Sequence, residues 1–177
     1  MIRNSIALIW GFCEATFFFI VPDVWLSLIA INSLKKGLIA CLYALAGAVL
    51  GGLLIYYWAS RDASGVSYFF NRLPGIYPAL QSLVYDQLQS QGIGAMLMGP
   101  LQGLPYKLFA LQAAQLKVSP IIFLLVSIPA RLARFFTVTC FIHVIGHFLQ
   151  KYWPLETVYR IAVIGWMLFY VFYFRVI

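Results

Sequence analysis

Apolar residues fill this chain in long runs, and the breaks in those runs mark out its elements. From 4 to 33 the run is interrupted near its middle by Glu14, Pro22 and Asp23, set around the aromatic stretch Phe17-Phe18-Phe19. One continuous spanning helix would put both carboxylates near the bilayer centre. The pattern therefore predicts two half-helices that meet at a bend and enter and leave on one face. Residues 36–59 follow as a clean span, long enough to cross about 30 Å of hydrocarbon. Within it Gly47, Gly51 and Gly52 place small residues where a second helix can approach closely. Residues 60–89 mix Tyr68, Phe69, Phe70, Leu73 and Tyr77 with polar side chains and with Pro74 and Pro78, which predicts an interfacial amphipathic segment. A second interrupted run occupies 90–116, broken at Gly99, Pro100, Gly103 and Pro105, and spans over 119–149 and 154–175 complete the chain.

The two interrupted runs are each followed by a basic residue and then by a long span. An offset that sets Pro22 opposite Pro105 also sets Asp23 opposite Tyr106, Lys35 opposite Val118 and Leu38 opposite Ile121. Each unit reads as a broken hairpin, a basic turn and a spanning helix. One full span and the interfacial segment separate the hairpins, so they are expected to enter from opposite faces, the inverted plan used by secondary transporters. The expected fold is an all-α polytopic membrane protein forming a single membrane domain over 1–177. It comprises two inverted repeats, each a re-entrant helical hairpin (4–33 and 90–116) followed by a transmembrane helix, with an interfacial amphipathic segment and a C-terminal transmembrane helix.

Composition agrees. Of 177 residues, 63% are hydrophobic and 10% charged, against about 45–50% and about 25% in soluble domains, and the mean hydropathy is +0.91. The net charge of +7 comes mostly from cations at segment ends, where they meet lipid headgroups. No basic domain outside the bilayer is available to bind nucleic acid. The opening residues resemble a secretory signal, but Glu14 interrupts the run and no small-x-small cleavage site closes it, so the segment is expected to be retained. Cys13, Cys41 and Cys140 lack C-x-x-C spacing and are expected to be buried packing residues.

A charge held in hydrocarbon costs at least about 2.5–3.5 kcal/mol, so each intramembrane ionisable residue asks for a partner. Arg131 and Arg134, three residues apart and on one helical face, lie deep in the 119–149 span: Arg131 is about 18 Å from its start at about 1.5 Å per residue. With Lys107 they are the counter-charges available to Glu14 and Asp23. Two readings are open. The charges could form ion pairs that pin the hairpins to the bundle. Alternatively they line a polar crevice where arginine grips a phosphate and a carboxylate takes up and releases a proton. The second is favoured, because pinning could be done by uncharged residues at lower cost.

His143 and His147 stand one helical turn apart but lack the acidic partner of H-E-x-x-H. No G-x-S-x-G elbow is present. Neither metal, cofactor nor enzymatic activity is expected.

The segment E-A-T-F-F-F-I-V-P-D from Glu14 to Asp23, the glycine-rich span from Gly47 to Arg61 ending Y-Y-W-A-S-R, and the break G-P-L-Q-G-L-P-Y-K-L-F-A together resemble the DedA family. This is the VTT, or SNARE-associated Golgi protein, superfamily; the likeness covers roughly 5 to 150 and is closest to the short YqaA-like branch. It implies a lipid transporter with two opposed re-entrant hairpins, moving phospholipids or undecaprenyl phosphate across a bacterial inner membrane, with proton coupling. By that resemblance Glu14 and Asp23 take the acidic role. Many members carry a pattern like R-F-x-P-G-x-R in the second hairpin, whereas the stretch from Gly99 to Lys107 has no arginine, and Lys107, Arg131 and Arg134 are the cations that can stand in.

The expected function is thus movement of a phosphate-bearing lipid headgroup past Glu14, Asp23, Lys107, Arg131 and Arg134. The expected partners are membrane lipids, anionic or polyprenyl phosphate, together with protons. A small-ion or small-solute transporter of the same fold, and a structural or assembly factor without transport, are the alternatives. Basic residues divide four against four between the two faces, so the positive-inside rule assigns no orientation. Oligomeric state is open, a homo-oligomer included.

Overall fold

Two tryptophans on opposite limbs show how the chain begins. The Trp10 indole donates to the Ile20 carbonyl at 2.9 Å, and the Trp25 indole donates to the Arg3 carbonyl at 3.1 Å. Helix α1 (Ile2–Thr16) and helix α2 (Asp23–Asn32) are therefore antiparallel limbs of one reversal through residues 17–22. The computed structural model behind this description covers residues 2–176, apart from the side chains of residues 100, 101 and 176. Pro22 stands at the start of α2, with Asp23 in its first turn, where a carboxylate complements the helix dipole. Ser33 ends α2 in an extended conformation and caps α3 (Leu34–Arg61), its hydroxyl accepting from the Lys36 N–H.

Helix α3 runs alongside α1 in the same direction at unusually short range. A Cβ on Gly47 would lie 1.9 Å from the Leu8 carbonyl oxygen, and one on Gly11 would lie 2.1 Å from that of Ala44. The glycine spacing seen in the sequence is thus a helix contact in which backbone meets backbone.

Asp62 caps α4 (Ala63–Phe70). Helix α5 (Pro78–Gln91) and the short α6 (Ala95–Met98) lead into a 3-10 turn, Gly99–Gln102, which closes at Gly103 with φ 73°. Helix α7 (Tyr106–Gln115) then reverses the direction: the Gln112 amide donates to the Gln81 carbonyl early in α5 at 3.1 Å, while Gln87, later in α5, donates to Gln102 before α7 at 2.8 Å. The stretch 60–89, read as interfacial, folds as α4 and α5, and Phe70, Val84 and Leu88 from it enter the main core with Tyr56, Phe109, Leu111 and Phe123. Of the expected breaks, Gly99 and Pro100 lie in the 3-10 turn, the Pro100 side chain being outside the described residues, and Pro105 precedes α7.

Helix α7 ends with Val118 N–H on the Ala113 carbonyl and Lys117 N–H on that of Ala114, a Schellman ending in which Lys117 takes φ 54°, the place usually held by glycine. Helix α8 (Pro120–Leu149) is antiparallel to α3: the Tyr56 and Phe123 rings stack at 5.4 Å, and Cys41 Sγ lies 3.1 Å from Thr139 Oγ1. Cys41 is buried as expected, but Cys140 faces outward; the turn that carries Thr139 inward carries its neighbour out.

Helix α9 (Leu155–Val176) is the last. Helices α3, α8 and α9 are long and apolar enough to cross a membrane. Only 6% of the apolar stretch of α9 is buried in the protein, against 44% for α3. It is tied down by Trp166 Nε1 donating to Ser27 Oγ (2.9 Å), by the Val21 N–H donating to the Tyr170 hydroxyl (2.8 Å), and by an edge contact between Phe19 and Phe174. No strand occurs among the described residues.

Candidate functional site

The four long-range charges are held in two ion pairs that cross between α8 and the first reversal. Arg131 Nη2 contacts Glu14 Oε2, with Nη1 3.5 Å from Oε1. Arg134 Nε and Nη2 both reach Asp23 Oδ2, at 3.0 and 2.8 Å. The three-residue spacing on α8 matches the turn: Glu14 ends α1, Asp23 starts α2, and each meets one arginine. Lys107, at the first turn of α7, donates to the Phe18 carbonyl at 2.8 Å. It ties the second break to the first without a carboxylate.

The two pairs differ in surroundings. Arg131 is enclosed, its guanidinium 4.9 Å from the Tyr106 ring centroid and 4.7 Å from that of Phe135, positions in which aromatic faces attract a cation. Tyr106 is itself fixed by its hydroxyl, which donates to Ser127 Oγ at 3.0 Å. Pro129 precedes Arg131 inside α8; having no N–H, it removes the helical donor of the Leu125 carbonyl. The Arg134 side chain, by contrast, is 23% exposed while that of Asp23 is 2% exposed. Asp23 Oδ1 is buried with no hydrogen-bond partner among the described residues.

What Arg134 faces is a cavity of about 570 Å³ between the two breaks, α8 and α9. Glu14, Asp23, Lys107 and Arg134 gather in its wall, with Tyr170 and Tyr173 from α9. Away from the charges the wall turns apolar: Val138, Ile142 and Ile145 of α8 face Val158, Ile161 and Phe169 of α9. Of the expected hairpin-break residues, Gly103 and Pro105 line it too. Arg131 does not; it stands behind Glu14 and orients it. Pro22 acts through the start of α2, and Gly99 through packing on Phe109.

The residues that sequence reasoning missed are the aromatic and hydroxyl groups of α9 and its seat: Trp166, Tyr170, Tyr173 and Ser27. A signal existed in the aromatic residues of α9 at helical spacing, Trp166, Phe169, Tyr170, Tyr173 and Phe174, a stripe that resembles ordinary lipid-facing surface. His143 Nδ1 donates to the Ala30 carbonyl at 2.7 Å, which makes it a tie between α8 and α2.

Fold and site together define an all-helical protein of the membrane class, with three helices long and apolar enough to cross a bilayer and paired buried charges beside an amphipathic cavity. Comparison with known protein families, with curated proteins and with solved structures finds no match.

Proposed function

We propose that this protein moves a phosphate-bearing lipid headgroup across the bilayer through the cavity bounded by α8 and α9. The observation that carries the reading is the cavity's division into a charged end and an apolar flank. A headgroup needs the first and its hydrocarbon the second. A pathway for ions or small solutes would call for polar lining throughout, and Val138, Ile142 and Ile145 on one side with Val158 and Ile161 on the other argue against it.

The membrane arrangement belongs to the same proposal. Helix α1, at 15 residues, and α2, at 10, reach about 22 and 15 Å at about 1.5 Å per residue, short of the roughly 30 Å hydrocarbon core. A re-entrant hairpin accounts for both. The second hairpin descends through α5, α6 and the 3-10 turn and returns as α7. The spans that follow the hairpins, α3 and α8, are antiparallel, as inverted repeats require.

In the mechanism, Arg134 is the group that grips phosphate, since it alone of the two arginines faces the cavity. Protonation of Asp23 releases it from its carboxylate, and Asp23 Oδ1, buried and unpartnered, is a place for that proton. Lys107 adds a second cation across the cavity. Binding of phosphate and binding of Asp23 are then alternatives for one guanidinium, which couples lipid movement to a proton.

The test is flux in liposomes, using labelled phospholipids and a polyprenyl phosphate, for wild type, Asp23→Asn and Arg134→Ala. Loss of flux in both variants with the fold retained supports the mechanism. Equal rates in all three proteins would sink it.

A further inference from the structure

We propose that a second lipid site, separate from the charged cavity, lies on the other flank of α9 and holds one anionic glycerophospholipid. A groove of about 520 Å³ runs between the first turn of α1, the outer face of α2 and the first half of α9, walled by Ile6, Trp25, Leu28, Ile29, Tyr159 and Val163. Arg3 and Lys36 stand at its rim beside Asn32. Its wall is apolar except at that rim.

Three features point to the occupant. In the membrane arrangement proposed above, on which this inference rests, the groove opens outward to hydrocarbon, so an acyl chain is the apolar material available to fill it. The cations come from the first turns of α1 and α3, and the Trp25 indole bonded to the Arg3 carbonyl is the amphipathic ring that favours the headgroup level. Both cations are free to take a phosphate: the ion pairs among the described residues use Arg131 and Arg134, and Arg3 spends its Nε on Asn4 Oδ1 at 3.3 Å. A lipid seated with its phosphate between Arg3 and Lys36 and a chain along Leu28 and Val163 would brace α9, which otherwise leans on the protein chiefly through α2. A zwitterionic headgroup would bring its own cation toward the same two side chains and lose most of the attraction. The site does not depend on transport.

The experiment uses purified full-length protein in liposomes containing phosphatidylglycerol or phosphatidylcholine with a photoactivatable acyl chain. Cross-linked residues are mapped by peptide mass spectrometry. Labelling at Trp25, Leu28, Ile29, Tyr159 and Val163, which line the groove and not the charged cavity, is expected to be roughly tenfold stronger with the anionic lipid, and to fall by roughly ten- to thirtyfold in Arg3→Ala/Lys36→Ala. Labelling along 138–149, in the charged cavity, is expected to persist in that variant. Val163→Trp, which fills the groove without touching the cations, is expected to block labelling by either lipid. Equal labelling of those five residues by both lipids, or labelling of Trp25, Leu28, Ile29 and Tyr159 that survives the double substitution and the tryptophan, overturns the proposal.

Discussion

Arg131 reaches Glu14 from the far half of the chain, and both guanidinium Nη atoms face the carboxylate. The pair is enclosed between Tyr106 and Phe135, with both side chains almost fully buried. Removing one partner leaves a nearly buried charge without its counter-ion. Arg131→Met alone is expected to lower stability by about 3–5 kcal/mol, and Glu14→Leu/Arg131→Met to recover most of it. Unfolding curves in mixed micelles measure both; equal losses in the single and double variants would show that the pair is not the source of the cost.

The Asp23 pair is the working one in the proposed mechanism. Arg134 directs Nε and Nη2 at one carboxylate oxygen, a geometry that a lysine's point charge cannot reproduce. Arg134→Lys keeps the charge, so the protein is expected to stay folded while lipid flux falls about tenfold or more, in line with the loss of one charge-assisted hydrogen bond. Flux in liposomes and a melting temperature, measured side by side, separate the two effects.

Much of this pairing was legible before any coordinates. Glu14, Asp23, Arg131 and Arg134 stand out because hydrocarbon makes an unpaired charge costly, and cost is visible in composition. Which arginine meets which acid was not legible, because it depends on the height at which α8 passes the first reversal. The role of α9 escaped for another reason. A tyrosine facing a cavity and a tyrosine facing lipid look alike in sequence, so Tyr170 gave no sign that its hydroxyl accepts from the Val21 N–H. Within 60–89 the sequence did not show which polar residues turn inward: Gln81 is polar yet buried, because Ser67 and Asn71 satisfy it within the fold.

The contact between α1 and α3 leaves no room for a methyl group. Gly47→Ala is expected to destabilise by about 1–3 kcal/mol, the range for overpacking, whereas Gly94→Ala, with open space around it, is expected to change little. Thermal unfolding of the two variants compares them.

Lys117 occupies the left-handed region at the end of α7, where a side chain costs roughly 1–2 kcal/mol. Lys117→Gly is expected to stabilise the protein by about 1 kcal/mol after glycine's greater freedom in the unfolded chain is subtracted. A lower melting temperature in this variant would contradict the account.

Asp62 accepts from the Gly65 N–H at 2.8 Å and the Ser64 hydroxyl at 2.9 Å, and these bonds hold its carboxyl below the usual aspartate range. A depressed folded pKa means the cap contributes fully above the unfolded value of about 3.9 and is lost as the pH falls through the lower folded value. The Gly65 amide resonance is expected to report that titration in wild type and to stay flat between pH 5 and 2 in Asp62→Asn, where Asn still caps but cannot titrate.

Because α9 meets the rest of the molecule along one narrow seam, it is a replaceable wall. Substitutions at Ile161, Gly165 or Phe169 would reshape the cavity's apolar flank without disturbing the charged pairs opposite. In the proposed mechanism, selection among hydrocarbon chains and handling of charge could therefore be altered separately, by evolution or by design.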